Sequence, residues 1–522
     1  MVEPEASGIE VALELWLAPF LKVLGRKTRR RWAPLYLQGL FGSDGRKSLQ
    51  PLAARLGLGG HDQLQHFIAS PAWDDTPLRR VLVERAEALV GGPDAVLVVD
   101  DTACPKKGKR SVGVARQYCG ILGKQANCQV LVSLTLAQGE VPVPIGLRLF
   151  LPDEWVTNPD RCAEAGVPEE HRQALAKTAI ALAEIDRVII AGARFGRVLA
   201  DAGYGMGAAF RQGLSARGLT WAVGVLKTQN VYSPTVELHW PTASRGRPRR
   251  HPVPSEAPSA AEAVLASADW RRISWRQGTK GPLAAEFAAV RVRPAEGAQL
   301  RNGWHLPGAE VWLVGERRPS GERKYYLSNL PADAPLDELA ATIKARWVCE
   351  QAHQQLKEEL GLDHFEGRSW TGLHRHALMT MIAFAFLQHL RLEQAGRRGK
   401  KQPSRSRTTA ATHPAGGSAH AGGAALAGPG LLPPLRHQSQ TRAAWKSAQV
   451  VIARVGKIVR ALGQDLRDHG GRYTPGPPVR GGAGPVARPG AGRGRAGAAP
   501  IRGWGHHGLQ PDEAVGRAQA SH

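Results

Sequence analysis

The spacing of apolar residues changes near residue 93, and this change limits the folds that the chain can adopt. Residues 9–92 repeat apolar side chains every three or four positions, as in IEVALELWLAPFLKVL, which predicts amphipathic helices. From residue 93 the apolar runs become short and β-type, beginning with AVLVVD at 95–100. Strand and helix patterns then alternate up to residue 217. The sequence therefore predicts an α/β layer fold preceded by a helical region.

We expect five regions along the chain. They are a helical domain at 1–92, the first part of an α/β domain at 93–218, a β-rich insertion at 219–332, a helical part of the same α/β domain at 333–395, and a basic tail at 396–522. Gly, Ala, Arg and Pro dominate the tail, which has a possible helix only at 443–463. Such a composition cannot bury enough apolar surface to order itself. The tail is either a disordered basic arm or the product of a GC-rich gene read out of frame.

The charge of the chain points to a polyanionic partner. The net charge is +24, of which the tail carries +16 through 20 Lys and Arg against four Asp and Glu. A basic protein of this kind is expected to bind nucleic acid. Two cationic segments, GRKTRRRW at 25–32 and GRKSLQPLAARLG at 45–57, lie in the helical region. The second resembles a helix-turn-helix element, but such short matches arise often by chance, and a plain helical bundle with a solvated basic face is the favoured alternative.

Cysteine usage and hydropathy indicate a cytoplasmic protein without a membrane span. The five cysteines form no CxxC pair, which argues against a disulfide framework or a zinc ribbon. The N-terminal residues lack the pattern of a signal peptide. The longest apolar run, ALMTMIAFAFL at 377–387, is too short to cross a bilayer.

Three acidic residues stand in positions that suit metal-dependent chemistry. Asp100 closes the apolar run AVLVV, Asp201 closes RVLA before GYG, and Glu350 lies in a helical segment. If the two strands are neighbours and the helix packs on them, the three carboxylates meet at one sheet edge. Carboxylate oxygens are preferred ligands of Mg²⁺ and Mn²⁺. Two such ions roughly 4 Å apart can activate an attacking oxygen and stabilise a leaving oxygen in phosphodiester chemistry.

Two cations accompany the third acid. Arg346, Glu350 and Lys357 are spaced by four and seven, so they share one face of a continuous helix. An acid between two cations suits a site that binds both a metal ion and a phosphate. An ordinary surface pair of Arg346 and Glu350 is the alternative.

These segments resemble a known family. The segment RWVCEQAHQQLK is similar to the signature of bacterial insertion-sequence transposases of the DDE type, in which Arg, three residues, Glu, six residues and Lys follow a Tyr. Ile343 stands where the signature has Tyr. The segments VVDDTACPKKGKRSVGVARQYCGILGKQANCQVLVSL, VLADAGYG and ELGLDHFEGRSWTGLHRH are similar to further blocks of one branch of this family, and the matching blocks cover about residues 45–390.

The resemblance implies a fold and a function. The fold is a ribonuclease H-like mixed sheet flanked by helices, interrupted by the β-rich insertion and preceded by the helical domain, which binds DNA. Asp100, Asp201 and Glu350 would bind two Mg²⁺ or Mn²⁺ ions, and Arg346 and Lys357 would contact DNA. The activity would be cleavage of double-stranded DNA at insertion-sequence ends and strand transfer into target DNA, by a homodimer associated with the nucleoid. A non-catalytic DNA-binding remnant of a damaged transposase gene and a host nuclease of the same fold are the alternatives.

Two details of the first block remain open at the sequence level. Side chains alternate along a strand, so only one of Asp100 and Asp101 can face the metal site, and the resemblance favours Asp100. The basic loop that follows contains Lys106, Lys107, Lys109 and Arg110. Beside a site for phosphodiester chemistry we expect it to contact the DNA backbone, whereas a solvated turn is the alternative.

Overall fold

The computed structural model describes residues 4–42, 45–240, 250–278 and 281–401. The tail from residue 402 onward, with its possible helix at 443–463, lies outside the described residues. The helices are α1 (Pro4–Val23), α2 (Lys27–Phe41), α3 (Leu49–Arg55), α4 (Asp62–Ala69), α5 (Thr76–Val90), α6 (Asp153–Val156), α7 (Pro159–Glu164), α8 (Lys177–Ile190), α9 (Ala202–Gly205), α10 (Ala208–Ala216), α11 (Ala261–Val264), α12 (Leu336–Ala345), α13 (Val348–Glu358) and α14 (Trp370–Lys401). The strands are β1 (Gly92–Pro105), β2 (Ala115–Cys119), β3 (Lys124–Gln138), β4 (Val141–Leu149), β5 (Phe195–Ala200), β6 (Trp221–Val225), β7 (Asn230–Tyr232), β8 (Leu238–His239), β9 (Val253–Pro254), β10 (Ser259–Ala260), β11 (Arg271–Gly278), β12 (Gly281–Gln299), β13 (His305–Pro307), β14 (Val311–Arg317) and β15 (Arg323–Ser328).

The N-terminal helices share their core with the rest of the described chain. Helices α1 to α5 lie where the apolar spacing predicts helices, and α2, α4 and α5 pack against α14. The phenol of Tyr36 in α2 hydrogen-bonds the ring of His376 in α14 at 2.8 Å. A single buried apolar cluster extends from these helices to the sheet. The domain boundary at residue 92 therefore stays a prediction.

The sheet has a mixed centre. Strand β1 pairs in parallel with β5, and β5 pairs in parallel with β6, whereas β3 runs antiparallel to both β1 and β4. The order of these five strands is β4-β3-β1-β5-β6. Helices cover both faces of this sheet, so the predicted fold class, a ribonuclease H-like mixed sheet flanked by helices, is confirmed.

The β-rich region extends the same sheet beyond β6. Strand β15 pairs antiparallel with β6, and β14, β12, β7 and β10 follow outward. The boundary predicted at residue 219 falls before β6, which belongs by its pairing to the parallel centre.

A buried ion pair, Arg211 with Glu296 at 2.6 Å, joins α10 to β12, and Arg211 also donates to the carbonyl of Gly205.

The two faces of β1 have different partners. Val96 and Val98 lie in a cluster with α12 and the first turn of α13. Leu97 and Val99 lie in the cluster that contains α5 and α8. This alternation follows from the period of two in a strand.

None of the helices in the described ranges has the length and apolar character that a membrane span requires.

Candidate active site

Pairing between parallel strands brings Asp100 and Asp201 together. The last residue pair of β1 and β5 is Val99 with Ala200, so the next residue of each strand is an aspartate. The strand does not end at Asp100 as the sequence indicated, because β3 continues to pair with β1 as far as Pro105. At Asp201 the chain does leave the sheet, and this residue caps α9 by accepting a hydrogen bond from the backbone N–H of Tyr204 at 3.3 Å.

The adjacent aspartates face opposite sides of the sheet. The Oδ2 atom of Asp100 accepts hydrogen bonds from the Arg346 guanidinium at 2.6 Å and from the Cys349 thiol at 3.1 Å. The carboxylate of Asp101 instead accepts hydrogen bonds from the ammonium of Lys177 and the phenol of Tyr204. The structure thus brings Asp100, and not Asp101, to the face covered by α12 and α13.

Arg346 connects two of the three predicted acids. Its guanidinium donates to Asp100 Oδ2 and to Glu350 Oε1, each at 2.6 Å. The expected continuous helix is interrupted here, since α12 ends at Ala345 and α13 begins at Val348. Glu350 lies in the first turn of α13, and its side chain is 63% exposed, whereas that of Asp100 is 14% exposed. The site therefore has a half-buried acid and an accessible acid joined by one cation.

The half-buried pair of Asp100 and Asp201 is electrostatically costly. Burial raises the pKa of Asp100, although the Arg346 charge and the hydrogen bonds from Cys349 and the Asp101 N–H oppose that rise. Burial also raises the pKa of Asp201, and the charge of Asp100 adds to the effect. Two neighbouring anions that are both partly removed from water favour either a shared proton or a bound cation.

The donor chemistry of this pair fits a hard divalent cation. Asp100 and Asp201 offer carboxylate oxygens, which Mg²⁺ and Mn²⁺ prefer. Across the described residues, no three His, Cys, Asp or Glu side chains converge in an arrangement that could hold a metal ion. The side chain of Glu350 is engaged by Arg346 and does not complete such a group.

A hydrogen-bonded chain supports the backbone at Asp100. The hydroxyl of Ser133 donates to the carbonyl of Asp100 at 3.0 Å, and the same hydroxyl lies 2.8 Å from Nε2 of His353. Because the single hydroxyl proton of Ser133 is used on the carbonyl, Nε2 of His353 must be the donor. Burial lowers the pKa of His353 to about 3, so the ring is neutral and structural.

Glycines allow the turn that carries Asp201 to lie close to the sheet. A Cβ atom on Gly205 would stand 2.0 Å from the carbonyl oxygen of Gly224 in β6. A side chain at that position would displace α9, so this glycine serves close backbone approach. Tyr204, between the two glycines of GYG, is buried and ties the turn to Asp101.

Comparison with known proteins identifies the family of this chain. The model of the family described as "DDE superfamily endonuclease" matches residues 19–282. The chain belongs to this family. The matched range contains Asp100 and Asp201 and ends before Glu350.

Two individual proteins are similar to this DDE family member. It is 31% identical over 160 residues to the "Probable transposase for insertion sequence element IS701" of Microchaete diplosiphon; the alignment covers 31% of this chain and 39% of the relative. The chain thus spans about two fifths of the length of that relative. A solved structure, a piggyBac transposase synaptic complex with hairpin DNA, matches with a TM-score of 0.37 and 11% identity over 90% of this chain and 84% of that one.

The cations predicted to contact DNA differ in their accessibility. The ammonium of Lys106 donates to the carbonyls of Asp363 at 3.0 Å and Phe365 at 2.7 Å, which anchors the turn after α13. Lys357 is only 8% exposed, and burial lowers its pKa. Lys357 is therefore enclosed, and Lys106 is half-buried with its ammonium bound to backbone carbonyls. The other three cations of the basic loop, Lys107, Lys109 and Arg110, are exposed.

Sequence reasoning missed several residues of the site. Tyr204, Lys177, Ser133 and Cys349 all contact an aspartate of the pair 100–101 or its backbone. The sequence carried no signal for these four contacts; it indicated only the separate bond from the backbone N–H of Tyr204 to Asp201, because a residue three positions after a helix-capping Asp is expected to donate its N–H to that cap. Ile343, which replaces the Tyr of the signature, is buried in the cluster under α12.

Proposed function

We propose that this DDE family member is an insertion-sequence transposase, which cuts DNA at the ends of its element and joins the freed 3′ ends to target DNA. The observation that carries the proposal is the register of β1 and β5, after whose last pair Asp100 and Asp201 follow, with Arg346 binding both Asp100 and Glu350. Membership of a DDE endonuclease family and the partial similarity to an insertion-sequence transposase support it.

In this proposal Asp100, Asp201 and Glu350 hold two Mg²⁺ or Mn²⁺ ions. Such ions, when held there, would supply activation of a water or 3′-hydroxyl and stabilisation of the leaving oxygen. Because the pKa of each aspartate is raised, the pair favours added positive charge, which supports a cation at this position.

Arg346 has a proposed role in coupling DNA to the acids. Its guanidinium binds Asp100 and the exposed Glu350, and it is also a good partner for a phosphate. We propose that a phosphate of the DNA backbone takes over one side of this guanidinium. Glu350 is then released from its ion pair and joins the two aspartates. Double-stranded DNA would reach the site along the exposed cations of the basic loop, with two chains acting in the complex.

A cleavage assay tests the proposal. The substrate is a duplex carrying the sequences that flank the gene, incubated with Mg²⁺ and either wild-type protein or the variants Asp100→Asn, Asp201→Asn and Glu350→Gln. We expect each variant to lose cleavage while still binding DNA. Asp186→Asn is the matched control and should cut normally. It removes a carboxylate of α8 that pairs with Arg217.

The outcomes separate the alternatives. Normal cutting by Asp100→Asn and Glu350→Gln would show that the mechanism is wrong. Binding without any cutting by the wild type would favour a non-catalytic remnant. Cutting that ignores the flanking sequences would favour a host nuclease.

A further inference from the structure

The hairpin formed by β2 and β3 exposes three large apolar side chains at its tip. Tyr118 is 63% exposed, Ile121 is 58% exposed and Leu122 is 46% exposed. They lie within five residues of one another, beside the tight turn at Gly123, where φ is 59°. Isolated exposed apolar residues are common, but a group of them at a hairpin tip is typical of a surface that contacts something else.

The alternation of side chains shows that the tip is not part of the core. Ala115 and Cys119 point inward, and Cys119 packs with Cys128 and Val130. Tyr118 lies on the opposite, exposed face of β2, together with Arg116. The core of the hairpin is therefore complete without Tyr118, Ile121 and Leu122, and their removal should not unfold it.

The surroundings of the tip are strongly cationic. Between residues 102 and 139 the chain has six Lys and Arg and no Asp or Glu. Asn127, in β3, donates from Nδ2 to the carbonyls of Lys106 at 2.7 Å and Gly108 at 2.9 Å. This side chain holds the basic loop against the hairpin, so the exposed loop cations and the apolar tip belong to one surface. Such a surface repels a second copy of itself and attracts a polyanion.

We propose that the hairpin tip, residues 118–122, is a wedge that enters opened base steps of DNA. Tyr118 stacks on an unpaired base, Ile121 and Leu122 separate neighbouring bases, and Arg116 and Lys124 neutralise the flanking phosphates. Apolar wedges flanked by cations are an established way for proteins to unstack and bend a duplex. The inference rests on the proposed function in that DNA is the substrate.

The register of the strands gives the position of the wedge relative to the acids. Lys124, at the tip, and Ser133, which pairs with Asp100, lie about nine residues apart along β3, which at about 3.3 Å per residue is roughly 30 Å. This is about the length of one turn of DNA. For DNA running along β3, the opened step would lie about a helical turn from the cleaved phosphate, so the wedge would act in recognising or bending the DNA and would take no part in the chemical step.

Binding to paired and opened DNA tests the wedge. The probes are a fluorescently labelled duplex and the same duplex with a short central stretch of mismatches. We expect the wild-type chain to bind the opened duplex about tenfold more tightly, because the cost of unstacking is already met. The variant Tyr118→Ser/Ile121→Ser/Leu122→Ser should lose that preference, and Tyr118→Trp should keep it because the stacking surface remains. Ile190→Ser, which changes an apolar residue on α8 that is 86% exposed, is the control.

The possible results lead to different conclusions. Retained preference in the triple variant overturns the wedge. Equal binding of both duplexes by the wild type also overturns it and leaves the proposed function intact. Failure of the wild type to bind either duplex overturns the proposed function as well. Loss of self-association in the triple variant, measured by sedimentation without DNA, overturns the wedge in favour of a second copy of this chain as the partner.

Discussion

At the scale of single residues, the pleat of β1 gives two adjacent aspartates different environments. Asp100 meets Arg346 and lies beside Asp201, whereas Asp101 accepts hydrogen bonds from Lys177 and Tyr204 on the other face. Asp101 nevertheless influences Asp201 indirectly. Its carboxylate accepts a hydrogen bond from the phenol of Tyr204, and the backbone N–H of the same Tyr204 caps Asp201. Asp101 and Tyr204 are therefore positioning residues for the proposed metal site.

Removing the phenol of Tyr204 tests this positioning. Tyr204→Phe should weaken Mn²⁺ binding and Mg²⁺-dependent cleavage by about 10- to 100-fold, since supporting hydrogen bonds of metal ligands have effects of this size. Titration calorimetry with Mn²⁺ measures the affinity. Tyr232 is also a buried tyrosine, and its phenol donates to the carbonyl of His305. The variant Tyr232→Phe should bind Mn²⁺ normally. Equal affinity in both variants would contradict the role of Tyr204.

The raised pKa of Asp201 leads to a prediction about stability. The folded state holds the proton of this carboxyl more tightly than the unfolded state does, so the ionised side chain costs stability at neutral pH, and the free energy of unfolding rises as pH falls through the folded pKa. Asp201→Asn keeps a capping group and removes the charge. It should raise the free energy of unfolding at neutral pH in a chelator, as measured by urea denaturation.

The comparison variant is expected to change stability in the opposite direction. A hydrogen bond from Arg217 lowers the pKa of Asp186, so Asp186→Asn should lower the free energy of unfolding under the same conditions. If Asp201→Asn also lowers the free energy of unfolding, the charge of Asp201 does not destabilise the fold through repulsion from Asp100. Added Mg²⁺ should stabilise the wild type and not Asp201→Asn.

At the scale of elements, the helices that cover the sheet are fixed by neutral histidines. His353 in α13 bonds Ser133 in β3, and His374 in α14 accepts from the backbone N–H of Leu149 in β4. His376 bonds Tyr36 and the carbonyl of Gly361. Burial lowers the pKa of His353 to about 3 and that of His376 to about 4. These rings stay uncharged in the fold at any pH near neutrality.

This arrangement predicts sensitivity to acid. The unfolded chain takes up a proton on each histidine near pH 6.5, but the folded chain does not, so the free energy of unfolding falls below about pH 6.5 by up to about 1.4 kcal/mol per pH unit for each ring. The free energy of unfolding, measured by urea denaturation at several pH values between neutral pH and pH 5, should therefore fall less steeply with decreasing pH in His376→Gln than in the wild type. His66→Gln, at an exposed position in α4, should keep the wild-type slope. An unchanged slope in His376→Gln would count against a neutral buried ring.

At the scale of the whole molecule, the positive charge is distributed unevenly. The tail carries most of the net +24, and the exposed cations of the described part include those of the basic loop. Cations that meet phosphates release counterions from DNA, so their number sets the salt dependence of binding.

The basic loop should contribute measurably to that dependence. Lys107→Ala/Lys109→Ala/Arg110→Ala should reduce the slope of log affinity against log salt by up to about 2.7, at about 0.9 for each phosphate that the loop no longer neutralises. Arg301→Ala, at an exposed position in the turn between β12 and β13, should leave the slope unchanged. Fluorescence anisotropy over a range of salt concentrations measures both. An unchanged slope in the triple variant would identify the loop as a solvated turn.

The sequence by itself determined the class of fold and the acids that can matter. Apolar runs of strand type, alternating with helical periodicity, specify a layered sheet, because each pattern can bury only one kind of surface. The same runs mark Asp100 and Asp201 at their ends. Local pattern also determined the position of Glu350 in a helical segment.

Only the tertiary structure decided which of these groups meet. Register between β1 and β5 sets Asp100 beside Asp201, and it depends on contacts between strands that are far apart in the chain. Arg346 keeps the i,i+4 pair with Glu350 that helical spacing allows, but its bond to Asp100 depends on packing and was not indicated by that spacing. The burial of Lys357 and the bonds of Lys106 to the turn after α13 likewise depend on packing. Whether a charged side chain is accessible or enclosed depends on its neighbours in space, and linear spacing carries little of that information.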